Sequence, residues 1–176
     1  IAMLPFIRKA GGRIITIGAV GGGVMLPFFG AIASSKIALE AVNDGFRREL
    51  SPWGIHVIMI DPGGIDTPAN DKMRASAREY LENLIPVGKQ RYGEPMEKFT
   101  RWADKMHKRS LKPEQVARVV FKALSAKHPK TRYRIGWDSY GMALLRWLLP
   151  DRLFDKLLLK VAFLPMKFCA WRHERF

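Results

Sequence analysis

Cysteine is nearly absent from this chain, whose 176 residues include one, Cys169. A single cysteine cannot form a disulfide within the chain, which fits a reducing compartment, and we expect a cytoplasmic location. Metal-ligand patterns are also missing, because the histidines at 56, 107, 128 and 173 have no ligand spacing among themselves. Cys169 and His173 could face each other on a helix, but two ligands are half of a zinc site. We therefore expect no metal centre.

Acidic residues are too few in the second half of the chain to balance its basic residues. Residues 1–88 hold 9 Lys and Arg and 8 Asp and Glu, whereas residues 89–176 hold 21 and 8. Nearly all of the net charge of +14 therefore belongs to the second half. Such a field could attract nucleic acid or an anionic membrane surface. Because no arginine-rich block or nucleic-acid recognition motif is present, we do not expect a nucleic-acid partner.

Charge is missing altogether between Ile14 and Ser35, a run of 22 positions. That length would suffice to cross a bilayer. Glycines and Pro27 interrupt the run, however, and segments buried around an active site are apolar as well. We therefore expect a strand, a loop and the start of a helix here, with Gly21-Gly22-Gly23 in a flexible loop.

Apolar runs and helical periodicity alternate along the chain. The strands Arg13 to Gly18 and Ile55 to Ile60 flank a helix from about Ala31 to Leu50, and a last strand runs from Thr131 to Ile135. We expect the first helix to bury the stripe Leu39, Val42, Phe46 and Leu50. A helix that opens at Pro113 should bury Val116, Val119, Val120, Ala123 and Leu124. Strands separated by helices are typical of an α/β fold, and we expect a parallel sheet of about three strands.

Two motifs carry a resemblance to a known enzyme family. The segment Gly30 to Glu40 resembles a Tyr-x-x-x-Lys helix, with Lys36 at the lysine position and Ile32 at the tyrosine position. The segment Asp61 to Thr67 resembles a Pro-Gly-x-x-x-Thr cofactor loop. The chain therefore resembles the short-chain dehydrogenase/reductase family, in particular its retinol- and hydroxysteroid-dehydrogenase-like members. The resemblance runs from about Ile1 to about Leu164 and implies the C-terminal portion of a Rossmann-like fold.

The resemblance assigns the catalytic roles in this family to a serine, a tyrosine and a lysine. The tyrosine exchanges a proton with the substrate, and the lysine lowers its pKa. Here Lys36 is present, whereas Ala19 and Ile32 occupy the serine and tyrosine positions. Neither neighbouring hydroxyl, on Ser34 or Ser35, reaches the vacated place on the helix. A positioned acid or base contributes about 100- to 10,000-fold, so we expect a catalytically impaired protein.

The resemblance also implies NAD or NADP as cofactor, contacted by Lys36, Pro62, Gly63, Ile65 and Thr67. In the family the lysine holds the cofactor ribose, and groups near the last two positions contact the nicotinamide carboxamide. The Gly-rich turn that holds the pyrophosphate in such folds has no match in this sequence. Pro62-Gly63 is also simply a good turn, followed by a helix start at Thr67, and the sequence leaves both interpretations open.

The resemblance divides the chain into two parts. Residues 1–137 would belong to the Rossmann-like domain, with a helical substrate lid at about 70–110, and residues 138–176 would form a basic amphipathic helical tail. Large apolar side chains in the lid imply an apolar alcohol or ketone substrate such as a retinoid, steroid or fatty alcohol, or they pack the lid down. The tail, with Trp147 and Phe154, could contact a membrane peripherally or pack against the body.

These expectations combine into one function and one alternative. The function is that of a protein whose relatives perform NAD(P)-dependent alcohol and carbonyl oxidoreduction, while this chain is truncated and a pseudoenzyme. The strand Arg13 to Gly18 would then be an apolar sheet edge, so we expect a homo-oligomer. The alternative is a non-catalytic module that binds a protein partner or a membrane surface.

Overall fold

The computed structural model describes residues 2–19 and 24–163 as alternating helices and strands. In chain order the elements are α1 (Leu4–Ala10), β1 (Arg13–Ile17), α2 (Gly30–Glu49), a 3-10 turn (Ser51–Trp53), β2 (His56–Pro62), α3 (Pro68–Glu82), α4 (Pro86–His107), α5 (Pro113–Ser125), β3 (Arg132–Ile135), α6 (Trp137–Leu148) and α7 (Asp151–Phe163). The expected alternation is confirmed. The loop predicted at Gly21-Gly22-Gly23 and the possible pairing of Cys169 with His173 concern residues outside the described ranges.

The three strands form one parallel sheet in the order β1-β2-β3. Ile15 of β1 pairs with Ile58 of β2, and Ile60 of β2 pairs with Tyr133 of β3. The central strand is buried from Val57 onward, as expected of a strand with neighbours on both sides. The predicted three-stranded parallel sheet is confirmed, and within the described residues β1 pairs with β2 alone.

Apolar clusters cover both faces of β2, because successive side chains of a strand point to opposite sides. On one face Ile58 and Ile60 pack with Val116 and Ala123 of α5. On the other face the core cluster and the half-buried side chains against it come from α1, β1, α2 and β2 and from two residues that flank α2 and β2. They are Leu4, Ile7, Ile14, Phe46, Leu50, Ile55 and Val57. The core therefore lies around β2, whose carboxyl end is fixed between two layers.

Two of the predicted buried positions are wrong. Val42 is 52% exposed, and Asn43 beside it is buried in its place. Both positions fit the helical spacing from Leu39, and the prediction chose Val42 because it is the more hydrophobic of the two. In the structure, the side of α2 that faces inward is centred on Asn43 instead. Leu124 is 51% exposed because α5 approaches the sheet through the fully buried, small Ala123.

The region expected to form a lid is helical and consists of α3 and α4. Phe99 of α4 is buried and packs with Phe29 from the loop before α2, with Trp102, and with Leu159 of α7. These contacts favour the interpretation that part of the apolar surface of this region holds its helices down. Tyr80 and Ile85 remain exposed.

The described part of the tail is helical as expected, and its two aromatic side chains Trp147 and Phe154 differ in exposure. Phe154 is buried, with the guanidinium of Arg146 over its ring at 5.8 Å, so this phenyl ring serves internal packing. Arg146 also pairs with Asp151 at the start of α7. Trp147, by contrast, is 81% exposed. No helix within residues 2–19 and 24–163 combines the length and hydropathy needed to cross a membrane.

Candidate active site

Helix α2 places Ile32, Lys36 and Glu40 on one face, because residues four apart in a helix are neighbours. Ile32 is 47% exposed and Lys36 is half-buried. The hydroxyls of Ser34 and Ser35 donate to the carbonyl oxygens of Ala31 and Ile32 at 3.0 and 2.7 Å. Both serines are thus bonded to their own helix, and the position one turn before Lys36 has no group that can transfer a proton.

Gly18 brings the end of β1 against the end of β2. Its amide donates to the carbonyl oxygen of Ile60 at 2.8 Å, and a Cβ placed on it would lie 2.6 Å from Oδ1 of Asp61. Ala19 follows directly and is half-buried. Ala19 and the Pro62-Gly63 turn therefore lie at the same carboxyl edge of the sheet, which is where open α/β sheets bind ligands.

The loop after β2 is fixed by backbone hydrogen bonds on both sides. The amide of Gly63 donates to the carbonyl oxygen of Ile135 at 2.8 Å. The backbone amide of Leu111 donates to the carbonyl oxygen of Gly64 at 2.7 Å, and the backbone amide of Asp66 donates to the carbonyl oxygen of Leu111 at 2.9 Å. Together with the bridge between Ile65 and Leu111, these bonds make the loop a rigid shelf between β3 and the segment that precedes α5.

Asp138, at the start of α6, adds a side-chain clamp to this shelf. Its carboxylate accepts the amide of Gly64 and the amide of Ser139, each at 3.0 Å. A Cβ on Gly63 would lie 2.0 Å from Oδ1 of Asp138, so the turn requires glycine here. Sequence reasoning missed Asp138, although an acid in the first turn of a helix is a recognisable candidate for binding backbone amides.

Thr67 begins α3 in an extended conformation, with φ −142° and ψ 156°, and Pro68 follows in the first turn. The predicted helix start at Thr67 is confirmed. The threonine hydroxyl makes no capping hydrogen bond to α3, whereas the side-chain amide of Asn70 donates to the carbonyl oxygen of Ile65 at 2.6 Å. The loop is thus held by Asn70 and the threonine hydroxyl is not needed for the helix cap.

A buried charge network joins the sheet to the Lys36 face of α2. Asp61 is 2% exposed, and its carboxylate accepts a hydrogen bond from the Arg132 guanidinium at 2.6 Å. Arg132 also pairs with Glu40, which lies one turn beyond Lys36. Burial raises the pKa of Asp61 above its ordinary value, and the nearby guanidinium opposes that rise. The network fixes α2 against the strand that leads into Pro62.

Ser139 supports the same strand end from the other side. Its side chain is fully buried, and its hydroxyl donates to the carbonyl oxygen of Asp61 at 3.1 Å. Neither this contact nor the network of Asp61, Arg132 and Glu40 was found by sequence reasoning. The available signal was Asp61 itself, because a carboxylate at the end of a buried apolar strand needs a partner.

His107 connects the lid to the shelf. Its Nε2 lies 3.3 Å from Oδ1 of Asp66. Its Nδ1 lies 3.2 Å from the side-chain amide nitrogen of Asn70 and 3.4 Å from the hydroxyl oxygen of Ser110. The end of α4, the start of α3 and the shelf therefore meet at one imidazole. Among residues 2–19 and 24–163 no cluster of three or more His, Cys, Asp or Glu side chains is arranged to hold a metal ion.

Comparison with known proteins identifies this arrangement. A family model described as short chain dehydrogenase matches residues 1–78. Retinol dehydrogenase 16 of Homo sapiens is 34% identical over 171 residues, which cover 95% of this chain and 54% of that protein. This chain belongs to the short-chain dehydrogenase family. Its retinol- and hydroxysteroid-dehydrogenase-like character is also supported by 17-beta-hydroxysteroid dehydrogenase type 6 of Bos taurus, 33% identical over 90% of this chain and 51% of that protein.

A bacterial reductase is similar to this chain as well. NADPH-dependent 3-dehydrocapnine reductase of Ornithobacterium rhinotracheale is 33% identical over 85% of this chain and 50% of that protein. This short-chain dehydrogenase chain thus spans about half the length of the curated relatives it matches.

Solved structures confirm the Rossmann-like fold. A short-chain dehydrogenase from Streptomyces avermitilis has a TM-score of 0.59 at 20% identity, covering 90% of this chain and 53% of that chain. A short chain dehydrogenase from Burkholderia cenocepacia J2315, solved in complex with NADP, has a TM-score of 0.56 at 21% identity, with 89% and 52% coverage. The roles predicted for Lys36, Pro62, Gly63, Ile65 and Thr67 stay predictions.

Proposed function

We propose that this chain is a catalytically impaired member of a lineage of NAD(P)-dependent oxidoreductases that interconvert an apolar alcohol and its carbonyl. The names of its relatives, retinol dehydrogenase and 17-beta-hydroxysteroid dehydrogenase, support an apolar substrate class. One observation carries the proposed impairment, namely that Ile32 stands one turn before Lys36 on the site face of α2. A branched hydrocarbon side chain can neither donate nor accept the proton that alcohol oxidation moves.

The residues at the sheet edge fit the nicotinamide end of NAD or NADP. Gly63 and Gly64 leave room for Asp138 and Ser110, which pack against the loop from inside the protein, and the hydroxyl of Thr67 is not used to cap α3. Lys36 would contact the cofactor ribose, and Pro62, Gly63, Ile65 and Thr67 would surround the carboxamide. When bound, the cofactor would supply hydride transfer. Within the described residues no Gly-rich strand-turn-helix offers amides to the pyrophosphate, so we expect weak binding.

The test separates binding from chemistry. The purified chain is titrated with NADPH and with NADH while nicotinamide fluorescence is followed, and is then assayed for alcohol-dependent cofactor reduction with retinol, a hydroxysteroid and a fatty alcohol. We expect weak binding and no measurable turnover. Human retinol dehydrogenase 16 is the positive control. Turnover by this chain at a rate similar to the control would refute the proposed impairment, and cofactor binding as tight as the control's would refute the expected weak binding.

The second candidate function is a non-catalytic module that pairs with another protein, most simply a second copy. Two features favour it: among the described residues β1 pairs with β2 alone, and Met3 before α1 and Phe6 within α1 are exposed. Unpaired edges and apolar helix faces promote association. We expect a homo-oligomer in size-exclusion chromatography with light scattering. Replacement of Phe6 by Gln should shift it towards monomer, whereas the equally exposed Phe121→Gln on α5 should not. A wild-type chain that stays monomeric would exclude this candidate.

The remaining proposals concern location and domain division. We propose a cytoplasmic location with peripheral membrane contact through the basic tail. The division at residue 137 would make residues 1–137 the Rossmann-like part, with its lid at about 70–110, and residues 138–176 the tail. Limited proteolysis tests this division, because cleavage near residue 137 should release a stable core. Ser139 and Asp138 bond α6 to the loop after β2, so cleavage that occurs only after α6 would instead assign α6 to the Rossmann-like part.

A further inference from the structure

Positive charge is concentrated at the edge of the sheet where the three parallel strands begin, opposite the edge that carries the candidate active site. Three segments lead into the strands there. Residues 8–13 hold three Lys and Arg and no acid, residues 47–55 hold two and one acid, and residues 126–131 hold two and no acid. At the opposite edge, residues 61–67 hold no Lys or Arg and two acids. The strand-entry edge therefore attracts anions.

A cleft of about 480 Å³ opens at this edge, between the end of α2 and the segment that precedes β3, over the first residues of β2. We name it the strand-entry cleft. No lining residue among those described is acidic, and the polar side chains in the lining are Arg47, Arg48, Ser51, His56, Lys130 and Thr131. A volume of this order is typical of sites for small molecules.

The two arginines of α2 retain most of their capacity to bind an anion. Asp44, one turn earlier, lies 3.4 Å from Nε of Arg47 and 3.7 Å from a terminal nitrogen of Arg48. Both distances are longer than the roughly 2.7–2.9 Å of a strong charge-assisted hydrogen bond. One carboxylate also cannot balance two guanidinium groups and the ammonium of Lys130 across the cleft. The cleft therefore keeps a surplus of positive charge.

The wall of the cleft that carries Lys130 is held in place by two hydrogen bonds. The guanidinium of Arg13 donates to the carbonyl oxygen of Ala126 at 2.6 Å, which fixes the start of this segment to β1. The backbone amide of Lys130 donates to the hydroxyl of Tyr133 at 3.1 Å, which fixes its end to β3. The cleft is thus formed by ordered elements on both sides.

The floor of the cleft offers a backbone donor. The ladder between β2 and β3 begins where the amide of Met59 donates to the carbonyl oxygen of Thr131 at 2.9 Å. Successive amides of a strand point to opposite sides, so the amide of Val57 points to the same side as that of Met59, one step before the ladder begins. Val57 lines the cleft. Its amide can therefore donate to a ligand that lies between the cations.

We propose that the strand-entry cleft binds a small phosphate-bearing molecule, a phosphomonoester or a diphosphate. The guanidinium groups of Arg47 and Arg48 present planar forks of donors that match phosphate oxygens, and Lys130 adds a compact charge. The hydroxyls of Ser51 and Thr131 extend the set of donors. A cleft of this volume favours a compact anion over a nucleic-acid strand.

This cleft is distinct from the proposed cofactor site. The two lie at opposite ends of β2, whose seven residues span roughly 20 Å. A phosphate bound among the arginines therefore cannot belong to a cofactor whose nicotinamide contacts the Pro62-Gly63 turn through the same sheet edge. The inference does not depend on any oxidoreductase activity.

Isothermal titration calorimetry of the whole 176-residue chain with pyrophosphate and with phenyl phosphate measures the binding. The two probes distinguish a diphosphate from a monoester ligand, and we expect one saturable site for at least one of them. The variant Arg47→Gln with Arg48→Gln and Lys130→Gln should bind at least about tenfold more weakly, because charge-assisted hydrogen bonds are lost. Absence of saturable binding of both probes would overturn the proposal.

A matched control separates a formed site from the general attraction of a chain with a net charge of +14. The control variant removes the same numbers of arginines and lysines from exposed positions elsewhere, as Arg78→Gln with Lys105→Gln and Arg109→Gln. It should bind both probes as the wild type does. Equal weakening by the two triple variants would show diffuse attraction and would refute the site.

A variant that retains every cation tests the cleft itself. Thr131 is exposed and lines the cleft, so Thr131→Phe should fill it and weaken binding of the preferred probe at least about tenfold, with an unchanged circular dichroism spectrum. Wild-type affinity in this variant would place the anion outside the cleft and contradict the proposal. A single-stranded oligonucleotide that binds more tightly than either probe, and loses that binding in the Arg47, Arg48 and Lys130 variant, would assign the surface to nucleic acid and refute it as well.

Discussion

The shelf from Asp61 to Thr67 and the Ile32 to Lys36 face of α2 belong to one candidate site but differ in how they are held. The shelf is bonded to β3, to Leu111, to Asp138 and to Asn70. At Ile32 the α2 face is exposed, and the serines beside it bond to their own helix. The loop is thus held by many hydrogen bonds, while the neighbouring α2 face carries no side chain at Ile32 that could transfer a proton. A conserved fold does not by itself establish a conserved activity.

Removal of the Arg132 guanidinium should have the largest effect, because it would leave the carboxylate of Asp61 buried without its cation. Arg132→Met should lower the free energy of unfolding by about 3 kcal/mol. Urea unfolding followed by circular dichroism measures it. Arg134→Met, on the same strand but exposed, should change stability by less than about 0.5 kcal/mol. Equal effects of the two variants would show that the network does not hold the shelf.

Gly63→Ala should have the next largest effect, since its Cβ would displace the Asp138 carboxylate from two amides. We expect a loss of about 2 kcal/mol in the free energy of unfolding. Asp138→Ala removes the same bonds, so the losses in the double variant should not add. The control is Gly141→Ala in α6, where a Cβ meets nothing within 4 Å, and it should be neutral or slightly stabilising. Additive losses would contradict the clamp.

The pH dependence of stability should report the burial of Asp61. Burial raises the pKa of Asp61 above its ordinary 3.8, so the folded chain holds this proton more tightly than the unfolded chain. The free energy of unfolding therefore contains a contribution that falls as pH rises from about 4 through the raised pKa. Asp61→Asn should remove that contribution, while Asp155→Asn, an exposed acid, should keep it. Parallel pH profiles of wild type and Asp61→Asn would be the contrary result.

The smallest effect on stability is expected on the face of α2 that carries Ile32. Ile32→Tyr should change the free energy of unfolding by less than about 0.5 kcal/mol, because the side chain at this position is 47% exposed. Thermal unfolding checks it. A large loss would mean that α2 has adapted its packing to isoleucine, and the loss of the phenol would then be structural as well as chemical.

Much of the fold could be predicted from local sequence, because strand and helix periods are local properties. The sheet, the helix that carries Lys36 and the helix start at Thr67 followed from apolar runs and turn residues. The burial of Asn43 rather than Val42 could not be predicted in this way, because both positions fit the same periodicity and only the packing of α2 determines which one is buried.

The contacts that build the site were less accessible from sequence. Arg132 is separated from Asp61 by 71 positions and Asp138 from Gly64 by 74, so no local pattern links them. The proposed replacements at Ala19 and Ile32 follow from the motif alone, because they concern residue identity rather than position in space. The sequence therefore predicts which groups are missing, and the structure shows which contacts hold the loop and the helix beside them.

The most direct test of the central claim is the initial rate at which this chain reduces saturating NAD or NADP with retinol, measured beside human retinol dehydrogenase 16. A missing proton-transfer group costs about 100- to 10,000-fold, so the account predicts a rate below about one hundredth of the control. A rate within a few-fold of the control would contradict it, because Ile32 would then stand at a position that catalysis does not require.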